Sequence, residues 1–323
     1  MTVVFGVDIG GTQTKLGAFS PDGTLLQKWS IPTDLSDNGT RILPHVADEL
    51  RRYLLENGIP LQGVLGIGLG IPGPVDDHGY VRTCVNLHWT DFRPAQEMRR
   101  CLPDLPVSSP IAAGNDANVA ALGEYARGGG AGSDSMMMVT LGTGVGGGVI
   151  LGGKILGGAH GLAGEIGHIA TNAHAARDCE CGNRGCINEC SSATGIVAYT
   201  GDLLRENPAP SALRAYPALT AEIVCNCAKE GDELALSALR TCMEPLGIGL
   251  AHFSHAIDPQ VYVIGGGVSH AGEFLVALIR KAYEAHMHLT GGRGAEIRLA
   301  TLGNDAGIIG ACMLALTERG AGA

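Results

Sequence analysis

The stretch VVFGVDIGGTQTKLGAF, residues 3–19, decides how the rest of the chain is read. An apolar run meets a Gly-Gly pair and is followed by a second apolar run, which predicts a strand, a tight loop and a returning strand. The pattern recurs at residues 136–151, MMMVTLGTGVGGGVIL, so that Val7-Asp8-Ile9-Gly10 corresponds to Val139-Thr140-Leu141-Gly142. Two strand–loop–strand units, one opening each half of the chain, predict a duplicated architecture.

Working outward, LLQKWSIPT predicts a third strand, and VLGIGLGIPGPV a buried strand running into a Pro-Gly turn. Between them, Ile42, Val46, Leu50, Leu54 and Leu55 have helical spacing, closed by Asn57-Gly58. NDANVAALGEYARGGG begins with good N-cap residues and ends in glycine, which predicts a capped helix. Helical patterns dominate 220–257, VYVIGGGVS is a strand entering a glycine loop, 271–288 is helical, AEIRLATL is a strand, and 304–318 is a final helix. Length and the repeated unit lead to the expectation of an α/β protein of two domains.

The chain has 323 residues and a net charge of −10. An acidic chain repels phosphate backbones and anionic lipid, so nucleic acid and membrane are poor partners. Aromatic residues make up 4%, too few for a base-stacking surface. There is no 20-residue apolar span and no export signal, so a cytoplasmic, reducing setting is expected.

Asp8, Gly10, Gly11, Thr12, Thr14 and Lys15 form one glycine loop. Gly142, Thr143 and Gly144 form a second, and Gly266 and Gly267 lie in a third. Glycine lets backbone N–H groups face phosphate oxygens, and hydroxyls add donors. A carboxylate such as Asp8 beside phosphate implies Mg²⁺, bound directly or through water. Any one such loop is an ordinary hairpin turn, but three of them, each after a strand and two in a matched repeat, argue for a clamp on a polyphosphate. None has the P-loop ending or the dinucleotide spacing.

These loops, with the closing LGNDAGIIGA, resemble the sugar kinases of the ROK family in the actin–hexokinase superfamily, over nearly the whole chain. The resemblance implies an actin/hexokinase (ribonuclease H-like) fold with a cleft between two domains, a small one of residues 1–115 completed by 304–323 and a large one of 116–303 with a metal-binding loop, and ATP as phosphoryl donor. Polyphosphate is the alternative donor. The resemblance further implies a hexose substrate and a homodimer or homotetramer.

An alcohol kinase needs a carboxylate to orient the attacking hydroxyl and accept its proton. In GNDAN, residues 114–118, the bare sequence reads as helix capping; the resemblance makes Asp116 the catalytic base and Asn115 a sugar contact. The family usually has Glu where this chain has Gly114. GIPGPV, with Gly73, and NLHW, residues 86–89, resemble segments near the sugar; Trp89 by itself reads as core.

CECGNRGCINE, residues 179–189, brings three thiols into eight residues. Cys179, Cys181 and Cys186 supply three soft ligands for zinc, with His168 as fourth and Cys190 as competitor. Free thiols or a disulfide are the alternatives. HGLAGEIGH followed by CECGNRGC resembles the family's zinc signature, which selects His168. Four protein ligands leave no open position, so the zinc is expected to be structural. The resemblance also gives His168 and Glu165 to sugar hydroxyls. It departs two residues beyond the last cysteine, where the family has a sugar-binding Glu. Here Asn188 occupies that position and Glu189 follows; the register of SSATGI favours Asn188 in the pocket.

The expected activity is phosphorylation of the glucose 6-hydroxyl by ATP. Another hexose or amino sugar, such as N-acetylmannosamine, fructose or allose, is the alternative. Two other classes predict different chemistry. A ROK-type transcriptional regulator carries a helix-turn-helix ahead of the DIGGT segment, whereas Asp8 stands near the start here. A chaperone-type ATPase of the same superfamily would hydrolyse ATP without sugar.

Overall fold

The computed structural model describes residues 1–171 and 177–321; the last two residues of the expected C-terminal segment lie outside them. The chain divides into two compact units. One comprises residues 1–131, 148–163 and 304–323, the other 132–147 and 164–303.

The first unit is built on β1 (Val3–Ile9), β2 (Gln13–Phe19), β3 (Leu25–Pro32) and β4 (Val64–Ile71). A small hairpin follows, β5 (Val81–Cys84) with β6 (Trp89–Phe92), and then the edge strand β7 (Ile111–Asn115). The main sheet has the order β3-β2-β1-β4-β7. Its first three strands form an antiparallel meander, and β1, β4 and β7 run parallel. Helices α1 (Ile42–Glu56), α2 (Pro94–Cys101) and α3 (Asp116–Arg127) belong to the same unit. On α1, Ile42, Val46, Leu50 and Leu54 are buried as the spacing predicts. Leu55, next in sequence, points away from that face and is 83% exposed. Trp89 is buried and donates its indole N–H to the Gly39 carbonyl at 3.0 Å, so its role is packing.

In the second unit, β8 (Ser135–Leu141) and β9 (Val145–Leu151) form the second hairpin. The chain passes into the first unit within β9 and continues through the short β10 (Lys154–Ile155). Then come α4 (Asn188–Ser191), α5 (Ala193–Glu206), α6 (Ala221–Lys229), α7 (Glu233–Ile257), β11 (Val261–Gly265), α8 (Glu273–Glu284) and β12 (Glu296–Leu299). The sheet order is β10-β9-β8-β11-β12, with β8, β11 and β12 parallel. Both sheets thus follow one plan: a three-strand meander whose first strand pairs with a later parallel strand, which in turn pairs with a second. The duplication expected from the two glycine hairpins is present in full.

The last helix, α9 (Ala306–Ala321), belongs to the first unit and packs on β1 and β4. β1 is therefore covered on both faces, which explains its unbroken apolar run. Val3, Phe5, Val7 and Ile9 join the cluster that includes α1, while Val4 packs with Phe19, Ile308, Cys312 and Ala315. Gly6 and Gly68 face α9 so closely that a Cβ on either would strike the backbone of Ile308 or Ala311. Among the described residues no helix is long and apolar enough to cross a membrane.

Candidate active site

In the β1–β2 loop, the strand register sets Lys15 directly opposite Asp8, and its ammonium lies 3.6 Å from the carboxylate. The ammonium also donates to the Asn304 carbonyl at 3.4 Å. Burial raises the pKa of the Asp8 carboxyl, and Lys15 offsets only part of the rise. Gly307, in the first turn of α9, lies against Asp8; a Cβ there would fall 2.6 Å from the carboxylate.

The loop is tied from behind. Gly10 N–H donates to the Gln13 carbonyl at 3.0 Å, and Thr33 holds the carbonyls of Gly10 and Thr12. Its hydroxyl donates to Gly10 O at 2.7 Å and its N–H to Thr12 O at 3.0 Å. Thr14 is buried and its hydroxyl pairs with that of Thr33, so it braces the loop rather than lining its surface. Among the described residues the N–H groups of Gly11 and Thr12 have no hydrogen-bond partner. They are the donors left over for an anion.

Asp116 stands at the first position of α3, just beyond β7. Its Oδ1 accepts from the Ala117 N–H at 2.8 Å and from the Asn115 amide at 3.1 Å. Asn115 performs the capping that the sequence suggested: its oxygen accepts from the Asn118 N–H at 3.1 Å. Its amide also donates to the Gly73 carbonyl at 2.9 Å, fixing the Pro-Gly turn after β4. Gly73 has φ 101°, a conformation open to glycine. Burial raises the pKa of Asp116, and the negative charge of Asp8 adds to the rise while the Ala117 N–H opposes it. The two carboxylates lie at the carboxyl ends of β1 and β7, flanking β4, the usual ligand-binding edge of a parallel sheet.

The second loop, in the other unit, repeats the bracing with different parts. Gly142 N–H donates to Gly144 O at 2.9 Å, and Ala193 N–H to Gly142 O at 2.8 Å. The Thr194 hydroxyl donates to Thr143 O at 3.0 Å, and the Asn188 side chain accepts from Val145 N–H at 2.8 Å. Thr143 and Gly144 are exposed, and their N–H groups have no partner among the described residues. The third loop follows β11, whose Gly265 pairs with Thr140 of β8. The second and third loops therefore open from neighbouring strand ends, with Gly266 at φ 82° and Gly267 starting a short turn.

His168, Cys179, Cys181 and Cys186 converge, their ligand atoms all within 4.8 Å of one another. Cys181 and Cys186 Sγ are 3.7 Å apart, and Cys179 Sγ lies 3.6 Å from His168 Nδ1. Two sulfurs about 2.3 Å from a tetrahedral zinc stand about 3.8 Å apart, so the spacing fits the ion. A disulfide would require about 2.05 Å. A hydrogen bond from the Asn183 backbone brings the Cys181 thiol down to about 7, whereas burial holds Cys186 up to about 12. His168 turns Nδ1 to the thiols, which leaves Nε2 for a second partner. Glu165 is exposed at the start of the turn that ends in His168. Asn188 donates its amide to Glu189 Oε1 at 3.1 Å.

Every residue singled out from the sequence is described. Thr33, Ala193, Thr194 and Gly307 are the supports that sequence reading missed. Ser192, which caps α5 by accepting from Gly195 N–H at 2.9 Å, was the available signal for the α5 contacts. Gly307 lies in the closing LGNDAGIIGA, which gave no hint of its contact with Asp8, and nothing local marks Thr33.

The family profile described as ROK family matches residues 4–318. A glucokinase of Halalkalibacterium halodurans is 40% identical over 309 residues, covering 94% of this chain and 92% of that protein. The ROK hexokinase structure from Thermus thermophilus superposes with a TM-score of 0.80 at 31% identity, covering 98% of this chain and 99% of that one. The ROK glucokinase of Streptomyces griseus, solved with glucose and AMPPNP, gives 0.69 at 31% identity, covering 96% and 98%. With the duplicated sheets, the braced glycine hairpins and a profile match over nearly its full length, the chain belongs to the ROK family.

Proposed function

We infer that the chain is an ATP-dependent hexose kinase that phosphorylates the 6-hydroxyl of glucose. The observation that carries this reading is the matched pair of loops. Carbonyls are bound from behind, those of Gly10 and Thr12 in the first loop and of Gly142, Thr143 and Gly144 in the second, and two consecutive N–H groups in each have no partner among the described residues, Gly11 with Thr12 and Thr143 with Gly144. Such loops suit the oxygens of a triphosphate, and Gly266 and Gly267 suit the adenosine side.

Asp116 accepts the proton of the attacking hydroxyl, its carboxylate aimed by Ala117 N–H and Asn115. Asn115, Glu165 and His168 bind the other sugar hydroxyls, with Gly73 offering backbone; a carboxylate accepting from hydroxyls fixes one hexose pose. Asp8 and Lys15 serve the phosphate side. Mg²⁺ held at Asp8, directly or through water, supplies the charge that offsets carboxylate–phosphate repulsion. Zinc at His168, Cys179, Cys181 and Cys186 is structural, because the donor set is complete without a reacting ligand. The proposal includes a homo-oligomeric enzyme in the cytoplasm, where reduced thiols are available to zinc, and no nucleic-acid partner.

ADP release measured over a panel of hexoses and amino sugars tests the reading. Glucose should give the highest kcat/KM. ATP turnover that ignores added sugar would favour the ATPase class, and a higher kcat/KM for an amino sugar would move the substrate. Polyphosphate in place of ATP, read by glucose 6-phosphate formation, tests the donor.

A further inference from the structure

Asn188 stands where the resemblance puts a sugar contact, yet both ends of its side chain are engaged elsewhere. Its oxygen accepts from Val145 N–H at 2.8 Å, and its amide donates to Glu189 at 3.1 Å. Val145 is the first residue after the second glycine loop and is buried. We propose that Asn188 is a positioning residue of the second glycine loop, holding the Thr143 and Gly144 N–H groups outward for nucleotide phosphate. The inference rests on the kinase reading above.

The hydrogen-bond accounting shows why the contact matters. All three carbonyls of the loop are bound, to Gly142 N–H, Ala193 N–H and the Thr194 hydroxyl. Val145 N–H is the remaining interior donor, and Asn188 satisfies it. A buried N–H without a partner is costly, so losing Asn188 lets the loop rotate until another acceptor is found. Such rotation misaims the two free donors. Gly144 is part of the device: a Cβ there would lie 2.9 Å from Asn188 Oδ1, so any side chain pushes on the contact.

The residue type fits this duty better than the family's glutamate does. Asn is neutral, whereas a carboxylate beside an anion-binding loop repels the phosphate it must receive. Asn also donates, and so restrains the neighbouring Glu189 carboxylate. The position is two residues beyond the last zinc-ligand candidate, so the sugar-contact slot of the resemblance serves the donor side in this chain.

Asn188→Leu removes the oxygen at similar volume. The dissociation constant for a non-hydrolysable ATP analogue with Mg²⁺, measured by calorimetry, should rise about five-fold, as should KM for ATP; that is the loss of one net hydrogen bond. KM for glucose should stay within about two-fold, since no step in the hydroxyl binding set is touched. Gly144→Ala should weaken the analogue in the same direction and add little on top of Asn188→Leu, because both break one contact. A raised KM for glucose with unchanged analogue binding would overturn the proposal, as would additive losses in the double variant. If Asn188→Leu fails to fold, Gly144→Ala alone carries the test. A parent protein that binds the analogue but phosphorylates no hexose would sink the kinase reading, while the binding comparison still judges Asn188.

Discussion

Under the kinase reading, Asp116 is the base that takes the proton of the attacking hydroxyl. Its carboxylate is buried near a second one, Asp8, and both circumstances raise its pKa. As base it must be ionised, so kcat/KM should fall as pH drops through that raised value, with an acid limb above the ~3.9 of a free aspartate. Asp116→Asn should cut kcat by roughly 10²–10⁴-fold while leaving the dissociation constant for glucose within a few-fold. Retained turnover would remove Asp116 from the role of base. At this scale the sequence was informative where function and identity coincide. Asp8, Asn115 and the cysteines stand in short motifs whose chemistry is local. The contact of Asn188 was not legible, since its partner Val145 lies 43 residues away and follows a loop whose bracing no motif announces. Thr33 was silent for the same reason: it reaches Gly10 across 23 residues and a strand pair.

Elements set how firmly those residues are held. The cysteine segment is tied by short backbone bonds, Ile187 N–H to Ile169 O and Thr171 N–H to Gly185 O, both at 3.0 Å. A metal joining His168 to three cysteines would add cross-links to this segment beyond those few backbone bonds. One zinc per chain is expected by elemental analysis. Cys181→Ser should abolish it and lower the melting temperature by roughly 5–10 °C. A variant that keeps both its zinc content and its melting temperature would show that Cys190 or another group completes the site. Helices and strands with clear periodicity were legible: α1 and α3 end where their Asn, Asp and Gly signals lie. The β5–β6 hairpin was not, because its four-residue strands are too short to show alternation.

For the whole molecule, the duplication was readable from two glycine hairpins, but the return of α9 to the first sheet depends on packing. Gly6 and Gly68 clear its path, and Ile308, Cys312 and Ala315 are buried against Val4 and Phe19. Ending the chain after Asp305 strips one face of β1 and β4. The expected result is insoluble protein, checked by the soluble fraction and by circular dichroism; a soluble, folded truncation would show that α9 is dispensable. Charge acts at the same scale. With −10 overall, no mobility shift of a DNA duplex is expected even at low salt.

The position of α9 also bears on how the protein is made. Its first strands leave the ribosome long before the helix that covers them. At about 5–20 residues per second, the interval is on the order of ten seconds or more. The half encoded later can close first, while the nascent N-terminal sheet waits with an apolar face uncovered. Yield in a heterologous host should therefore respond to chaperone supply and translation speed more than to the stability of the finished enzyme.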